Sequence, residues 1–189
     1  MQKKQRYFAS VFVMIVIMKR LIIINGPAGV GKSTVGNLLH QQIKPSFLLS
    51  GDEIRRSIND YHDMPREGRN LRNKIVLSML DVLLNEDMTV IVVQLHTDEK
   101  MLDKYIDSGI KHNANINEYF LWVTNKDELI KRHKQRTRVP NTSLDISRVL
   151  KYWDKMKHFT ISRNKNSTIF TDNQSPQETT DQLINSLTK

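Results

Sequence analysis

The apolar positions of the chain fall into two alternating patterns: short continuous runs, and sets spaced three or four residues apart. The continuous runs are rich in β-branched and aromatic side chains, which is typical of strands buried on both faces of a parallel sheet. They lie at residues 21–24, 46–50, 89–95, 118–123 and 167–171. This pattern predicts five strands.

Helical spacing dominates between these runs. Predicted helices lie at residues 35–43, 53–58, 66–86 and 126–136. We expect Thr97, with two acids behind it, to cap a further helix. Ser175, Pro176 and Glu178 form the sequence pattern of a capping box with proline at the first helical position, so a last helix begins there. Regular alternation of strand and helix predicts an α/β fold with a parallel sheet covered on both faces, and with ligands bound at the carboxyl ends of the strands.

The loop after the first strand has the spacing of a phosphate-binding loop. It consists of Gly26, Pro27, Ala28, Gly29, Val30, Gly31, Lys32, Ser33 and Thr34. Glycines let successive backbone N–H groups turn inward, and the following helix points its positive end at the same place. Lys32 is expected to reach the β- and γ-phosphates, and the Ser33 hydroxyl to ligate Mg²⁺. The alternative is a glycine-rich turn without a ligand.

Asp52 and Arg55 follow the second strand, one helical turn apart, so they share a face at the rim of the sheet. Asp52 has the chemistry to accept a proton from an attacking hydroxyl or to steady Mg²⁺ through water, and Arg55 to hold an acceptor phosphate. The alternative is an aspartate that caps the helix, followed by a solvated arginine. The preceding loop favours the functional interpretation.

Basic residues cluster at the end of the fourth predicted helix. Arg132 and Arg136 are four residues apart on one face, and Arg138 follows. Phosphotransferases need such cations to neutralise the transferring group while water is excluded, so we expect a lid here, although a solvated basic helix end is the alternative. Arginines 66, 69 and 72 on the long helix are better explained as a solvated face than as an extended acceptor clamp.

Composition limits the remaining possibilities. The chain has 189 residues with 39% hydrophobic content, which suits one domain, and it has no cysteine, which excludes disulfides and thiolate metal sites. Its net charge is +9, but five of these charges lie in the first twenty residues, which contain no acid, leaving +4 for the rest. A nucleic-acid partner is therefore open but not favoured by charge.

The first 17 residues pair a basic start with an apolar run too short for a membrane helix, which needs about 20 residues. No small-residue cleavage site separates this segment from the first strand. We interpret residues 1–17 as a dispensable or mis-started extension, with the domain at 18–189. A membrane anchor is the less favoured alternative.

The sequences GPAGVGKST, GDEIRRSI and DELIKRHKQR together resemble P-loop kinases. The strongest resemblance is to phage polynucleotide 5′-kinase domains, over residues 19–159, within a group that includes adenylylsulfate, gluconate and shikimate kinases and the zeta toxins. The resemblance implies a three-layer P-loop NTPase fold with strand order 2-3-1-4-5 and a helical lid at about 132–148. It also implies that Lys32 and Ser33 bind ATP and Mg²⁺, with Lys32 catalytic. Asp52 would be the catalytic base, Arg132 an ATP contact and Arg136 the catalytic lid arginine.

One position departs from this family pattern. The third strand of such proteins often ends in an aspartate that supports the metal, whereas this chain has Gln94 there, with His96 close behind. Because an amide cannot supply the charge, either Asp52 serves both metal and acceptor or metal-dependent catalysis is weaker. We expect Gln94, with Asp52 and Arg55, to contact the acceptor. His96 is better explained as an ordinary strand-end histidine than as an acceptor contact, and no zinc site is expected.

These observations predict an ATP-dependent kinase for a hydroxyl of a small metabolite, a nucleotide or a nucleic-acid 5′ end. An ATPase or nucleotide switch is the alternative, although such proteins normally need the aspartate that Gln94 replaces. We expect ATP and Mg²⁺ as cofactors, a cytoplasmic location without a membrane partner, and a monomer or homodimer.

Overall fold

The five predicted strands form one parallel sheet. The computed structural model describes residues 19–59, 66–135 and 145–188. The strands are β1 (Arg20–Asn25), β2 (Ser46–Ser50), β3 (Thr89–Val93), β4 (Asn115–Trp122) and β5 (Thr168–Phe170). Their order is β2-β3-β1-β4-β5 and all pairings are parallel, which confirms the predicted fold class and strand order.

Helices connect the strands. They are α1 (Lys32–Gln42), α2 (Gly51–Arg56), α3 (Glu67–Asn85), α4 (Glu99–Lys111), α5 (Lys126–Gln135), α6 (Ile146–Met156) and α7 (Pro176–Leu187), with a 3₁₀ turn at Lys157–Thr160. Helix α1 packs with α7, whereas α3 packs with α2 and α4. Right-handed crossovers put these two groups on opposite faces, because the chain moves one way along the sheet from β1 to β2 and the other way afterwards.

The core follows from this layering. Every residue of β1 and β3 is buried, since these central strands have a helical layer on each side. Aromatic rings extend the core beneath β4: Trp122 stacks on Trp153 at 4.8 Å between ring centroids, and Phe120 stacks on Phe159 at 5.3 Å. The indole N–H of Trp153 donates to the Val123 carbonyl at 2.7 Å, which fastens α6 to the end of β4.

Local details correct three of the sequence predictions. Helix α6 was not predicted, although Val149, Trp153 and Met156 give it a buried face at helical spacing. The N-cap of α4 is Asp98, which accepts from the Lys100 N–H at 3.0 Å, and not Thr97. Strand β3 ends at Val93, so Gln94 lies just beyond it.

Other local predictions stand. The capping box of α7 is present, with Ser175 and Glu178 bonded reciprocally. No helix in the described part of the chain is long and apolar enough to cross a membrane. The predicted extension at residues 1–17 lies outside the described residues, as does most of the predicted lid at 132–148, so both stay predictions.

Candidate active site

The loop between β1 and α1 has the backbone of an anion cradle. Gly26 has φ 144°, and a Cβ there would overlap the Leu121 carbonyl oxygen. Gly31 has φ 99° in the left-handed region and is the N-cap of α1, with no side-chain capping bond. Only glycine adopts these conformations readily, and the first N–H groups of α1 are therefore presented to the loop rather than to a capping side chain.

Side chains complete this loop. Lys32 is the first residue of α1, and its Nζ donates to the Pro27 carbonyl at 2.8 Å, so the ammonium group lies across the loop. Ser33 and Thr34 are exposed on the first turn, and Val30 is buried and anchors the loop to the core. Backbone N–H groups and an ammonium bind phosphate oxygens, and an exposed hydroxyl oxygen can ligate Mg²⁺. The residues of the loop therefore fit both ATP and Mg²⁺.

A buried asparagine ties the loop to the neighbouring strand. The Asn25 side-chain oxygen accepts from the N–H of Gly26 at 2.8 Å and from the N–H of His96 at 2.9 Å. Its amide nitrogen donates to the His96 carbonyl at 3.1 Å. Strand ends β1 and β3 are thus held in one geometry at the carboxyl edge of the sheet. Asn25 was not singled out from the sequence, because its partner is 71 residues away.

Asp52 and Arg55 lie where the sequence predicted, on one face of α2. The Arg55 Nε is 3.6 Å from Asp52 Oδ1; the Asp52 side chain is 69% exposed and that of Arg55 only 18%. The N-cap of α2 is Ser50, so Asp52 is the second helical residue and does not cap the helix. Helix capping, the structural alternative for Asp52, is therefore excluded. Its carboxylate is open to solvent at the rim of the sheet.

Gln94 is buried, and its amide lies between α3 and α4. In the one amide orientation that satisfies both neighbours, its oxygen accepts from Arg72 Nε at 3.2 Å and Nη2 at 2.9 Å, and its nitrogen donates to the Tyr105 hydroxyl at 3.2 Å. A Cβ at Gly51 would overlap this amide, so the start of α2 packs directly on Gln94. The Gln94 side chain, which the sequence predicted to contact the acceptor, is therefore largely covered by other residues.

His96 extends this buried chain of polar groups. Its Nε2 is 3.0 Å from the Tyr105 hydroxyl, with the two rings edge to face. Burial, together with the positive charges of Arg72 and Lys32, lowers the pKa of His96 to about 3, so the ring is neutral. A neutral ring accepts the Tyr105 proton, which leaves that hydroxyl to accept from Gln94. The sequence prediction of an ordinary strand-end histidine missed this contact.

Arg132 is held beside the phosphate loop. Its guanidinium donates to Thr171 Oγ1 at 3.1 Å, to the Thr171 carbonyl at 2.6 Å and to Glu128 Oε1 at 2.8 Å. The Thr171 hydroxyl also donates weakly to the Val30 carbonyl at 3.4 Å. Arg132 is thus linked to the loop through Thr171, while its guanidinium is largely engaged by protein. Its expected partners Arg136 and Arg138 lie outside the described residues.

The next loop residue, Asp172, was missed from the sequence. Its carboxylate accepts from the N–H and hydroxyl of Thr124 and from the N–H of Asn125, between 2.8 and 3.2 Å. Partial burial raises the pKa of Asp172, but these hydrogen bonds lower it further, and the net direction is downward. The loops after β4 and β5 are therefore joined at the same edge of the sheet as the phosphate loop.

A family model described as an AAA domain matches residues 21–158. Among solved structures, the chain is similar to a gluconokinase from Sinorhizobium meliloti (TM-score 0.64, 18% identity, 90% of this chain and 93% of that one). It is also similar to the tunicamycin resistance protein of Deinococcus radiodurans (TM-score 0.63, 16% identity, 89% and 95%). A third is a shikimate kinase from Acinetobacter baumannii, solved with shikimate (TM-score 0.60, 15% identity, 94% and 97%). No curated protein matches. The resemblance to P-loop kinases is confirmed as one of fold.

Proposed function

The chain belongs to the AAA domain family, and from this premise we propose that it is an ATP-dependent kinase that phosphorylates a hydroxyl group. The acceptor would be a small metabolite, a nucleotide or a nucleic-acid 5′ end. The observation that carries the proposal is the placement of Asp52 and Arg55 at the same sheet edge as the phosphate loop. A loop alone supports nucleotide binding, whereas an adjacent exposed carboxylate and half-buried guanidinium support an acceptor.

Each residue of the loop has a role in this proposal. The N–H groups from Gly26 to Thr34 and the Lys32 ammonium would hold the phosphates, and Ser33 would hold Mg²⁺. When bound, Mg²⁺ supplies charge neutralisation for the transferring phosphoryl group. Asp52 would take the hydroxyl proton while Arg55 orients the acceptor, and the γ-phosphoryl would pass in line to the acceptor oxygen as ADP leaves.

Arg132 and Gln94 also have roles in the proposed reaction. Arg132 would act at the nucleotide side through its position next to Thr171 and the phosphate loop. Gln94 is engaged by Arg72 and Tyr105, so direct contact with an acceptor is less well supported than an indirect role. Arg136 remains the proposed catalytic lid arginine.

The names of two of the similar structures support a small acceptor. A gluconokinase and a shikimate kinase are named for small polyhydroxy acids, and the chain covers more than nine-tenths of both of these structures. The modest net charge of the domain also supports a small acceptor.

The proposal is tested by incubating the full chain with γ-labelled ATP, Mg²⁺ and a panel of sugar acids, sugars, nucleosides, aminoglycosides and 5′-hydroxyl oligonucleotides. Label on an acceptor is the expected result and names the substrate class. Release of labelled phosphate at the same rate with and without every acceptor would overturn the kinase in favour of an ATPase or nucleotide switch.

Asp52 provides a sharper test once an acceptor is labelled. Asp52→Asn keeps the shape but removes the base, so transfer should fall by roughly 10²–10⁴-fold, while ATP affinity stays within a few fold. Loose transition states demand less of a base, so a fall near the low end is expected. Glu53→Gln, an exposed neighbour on the same helix, is the matched control. Equal rates for Asp52→Asn and the parent would remove Asp52 from catalysis.

A further inference from the structure

We propose that Arg72 is an anion-binding residue of the acceptor site and that Gln94 is the positioning residue that keeps its charge available. The inference deepens the proposed function, because it assigns an anionic group to the acceptor. Sequence reasoning favoured a solvated face for arginines 66, 69 and 72. In the structure Arg66 and Arg69 are exposed, but Arg72 is half-buried at the carboxyl edge of β3.

Arg72 is surrounded by neutral acceptors. Its Nε and Nη2 donate to Asn73 Oδ1 at 3.1 and 2.7 Å, and the same two nitrogens donate to the Gln94 oxygen. Among the described residues, no carboxylate forms an ion pair with Arg72. The guanidinium is therefore oriented by hydrogen bonds while its charge is not neutralised by them.

Positive charge at this end of the sheet favours an anionic ligand. The charges of Arg72 and Lys32 both act on the buried His96, so this end of the sheet carries positive charge from two helices. A half-buried cation without a carboxylate partner is costly. An anionic ligand lowers that cost, and a guanidinium binds phosphate or carboxylate through paired hydrogen bonds.

The amide of Gln94 explains why this charge is not cancelled by the protein. A carboxylate at position 94 would accept from the same two nitrogens of Arg72 and form a buried ion pair. The amide accepts the same hydrogen bonds without a charge, and Tyr105, backed by neutral His96, holds the amide oxygen toward Arg72. Gly51 leaves the space that this side chain needs. Gln94 thus orients Arg72 and leaves its charge for a ligand.

The ligand chemistry that follows is a hydroxyl compound with a phosphate or carboxylate group. Arg55 lies on α2, which begins at Gly51 against the same Gln94 amide, so both arginines belong to helices that meet at Gln94. Asp52 on α2 would then face the hydroxyl while the arginines hold the anion. Phosphate and carboxylate share this recognition, and the experiment separates them.

The test uses the full chain saturated with ADP and Mg²⁺, so that the phosphate loop is filled. Inorganic phosphate and acetate are titrated separately, and the Nε–Hε signals of arginine side chains are followed by NMR, with Arg72 assigned from its loss in Arg72→Lys. We expect the Arg72 signal to shift with saturation by one of the two anions. Arg72→Gln, in which binding is followed through the Arg55 signal, should weaken that binding at least about 10-fold. Lys74→Gln, an exposed cation on the same helix, should change it less than twofold.

Gln94→Glu, a carboxylate with the length of glutamine, separates this proposal from a purely structural or metal-supporting role of position 94. We expect anion affinity to fall at least about 10-fold, because the carboxylate pairs with Arg72, while the urea midpoint stays near the parent value. A structural role predicts that the urea midpoint and the affinity fall together, and a metal-supporting role predicts that a carboxylate at position 94 raises turnover. Unchanged or tighter anion binding in Gln94→Glu, or in Arg72→Gln, would overturn the proposal.

The outcome is separable from that of the proposed function. The NMR titration reads anion binding without turnover, so a positive titration combined with no labelled acceptor would reject the kinase and keep the anion site. Labelled transfer to a neutral sugar, with no anion effect on the Arg72 signal, would keep the kinase and reject the anion site.

Discussion

The buried His96 should make the protein lose stability between pH 6.5 and 5, before most carboxylates titrate. Its pKa is lowered from 6.5 to about 3 in the folded state, because burial and the nearby Arg72 and Lys32 disfavour the charged ring. The unfolded chain therefore binds more protons in this range, and stability must fall as pH falls. One group gives a slope of up to about 1.4 kcal/mol per pH unit, and the full effect by pH 3 is roughly 5 kcal/mol.

The assay is urea unfolding at pH 7, 6, 5.5 and 5, followed by the fluorescence of Trp122 and Trp153, the two tryptophans of the chain. His96→Gln can place an amide oxygen near the position of Nε2, which keeps an acceptor for the Tyr105 hydroxyl and does not titrate, so we expect a lower stability at pH 7 but a much flatter profile. His158→Gln, at a half-exposed histidine, should keep the parent slope. Parallel profiles for His96→Gln and the parent would refute the assignment of the slope to His96.

Two further predictions concern the phosphate loop. Lys32→Ala should reduce turnover by roughly 10²–10³-fold while the urea midpoint stays near the parent value, and a parent-like rate would reject the cradle. Gly26→Ala should lower the free energy of unfolding by about 3 kcal/mol, because its Cβ would overlap the Leu121 carbonyl oxygen. Gly31→Ala has open space around its Cβ position, so it should lower the free energy of unfolding only by the backbone strain, about 1–2 kcal/mol. Equal urea midpoints for the two variants would contradict this difference.

The sheet was predictable because its central strands are buried on both faces. Runs such as residues 21–24 have no polar position, and such runs separated by helical spacing have few alternatives to a doubly covered parallel sheet. Helix α6 was missed although its period is regular. Its buried face consists of only three residues, Val149, Trp153 and Met156, in a strongly polar stretch, and its stability depends on the contact of Trp153 with Trp122 and Val123.

The candidate site was predictable where the chemistry is local. The phosphate loop and the Asp52–Arg55 pair each lie within one turn or loop, so sequence spacing defines their geometry. Gln94 was recognised as a departure, but its surroundings were not predictable. Its partners Arg72 and Tyr105 come from α3 and α4, and no periodicity in the sequence indicates which residues of two helices meet one strand end.

The polar groups at this strand end also connect stability with function. Asn25 holds Gly26 of the phosphate loop and both backbone groups of His96, and His96 in turn backs Tyr105. Protonation of the ring removes its acceptor at Nε2, so the Tyr105 hydroxyl loses the partner that orients it. The Gln94 amide is then less firmly held toward Arg72. Because the pKa of the folded ring is about 3, His96 keeps this arrangement in every folded molecule between pH 6.5 and 5, and the loss of stability there comes from protonation of the unfolded chain. Anion binding at Arg72 should therefore persist across this range for as long as the sheet stays folded.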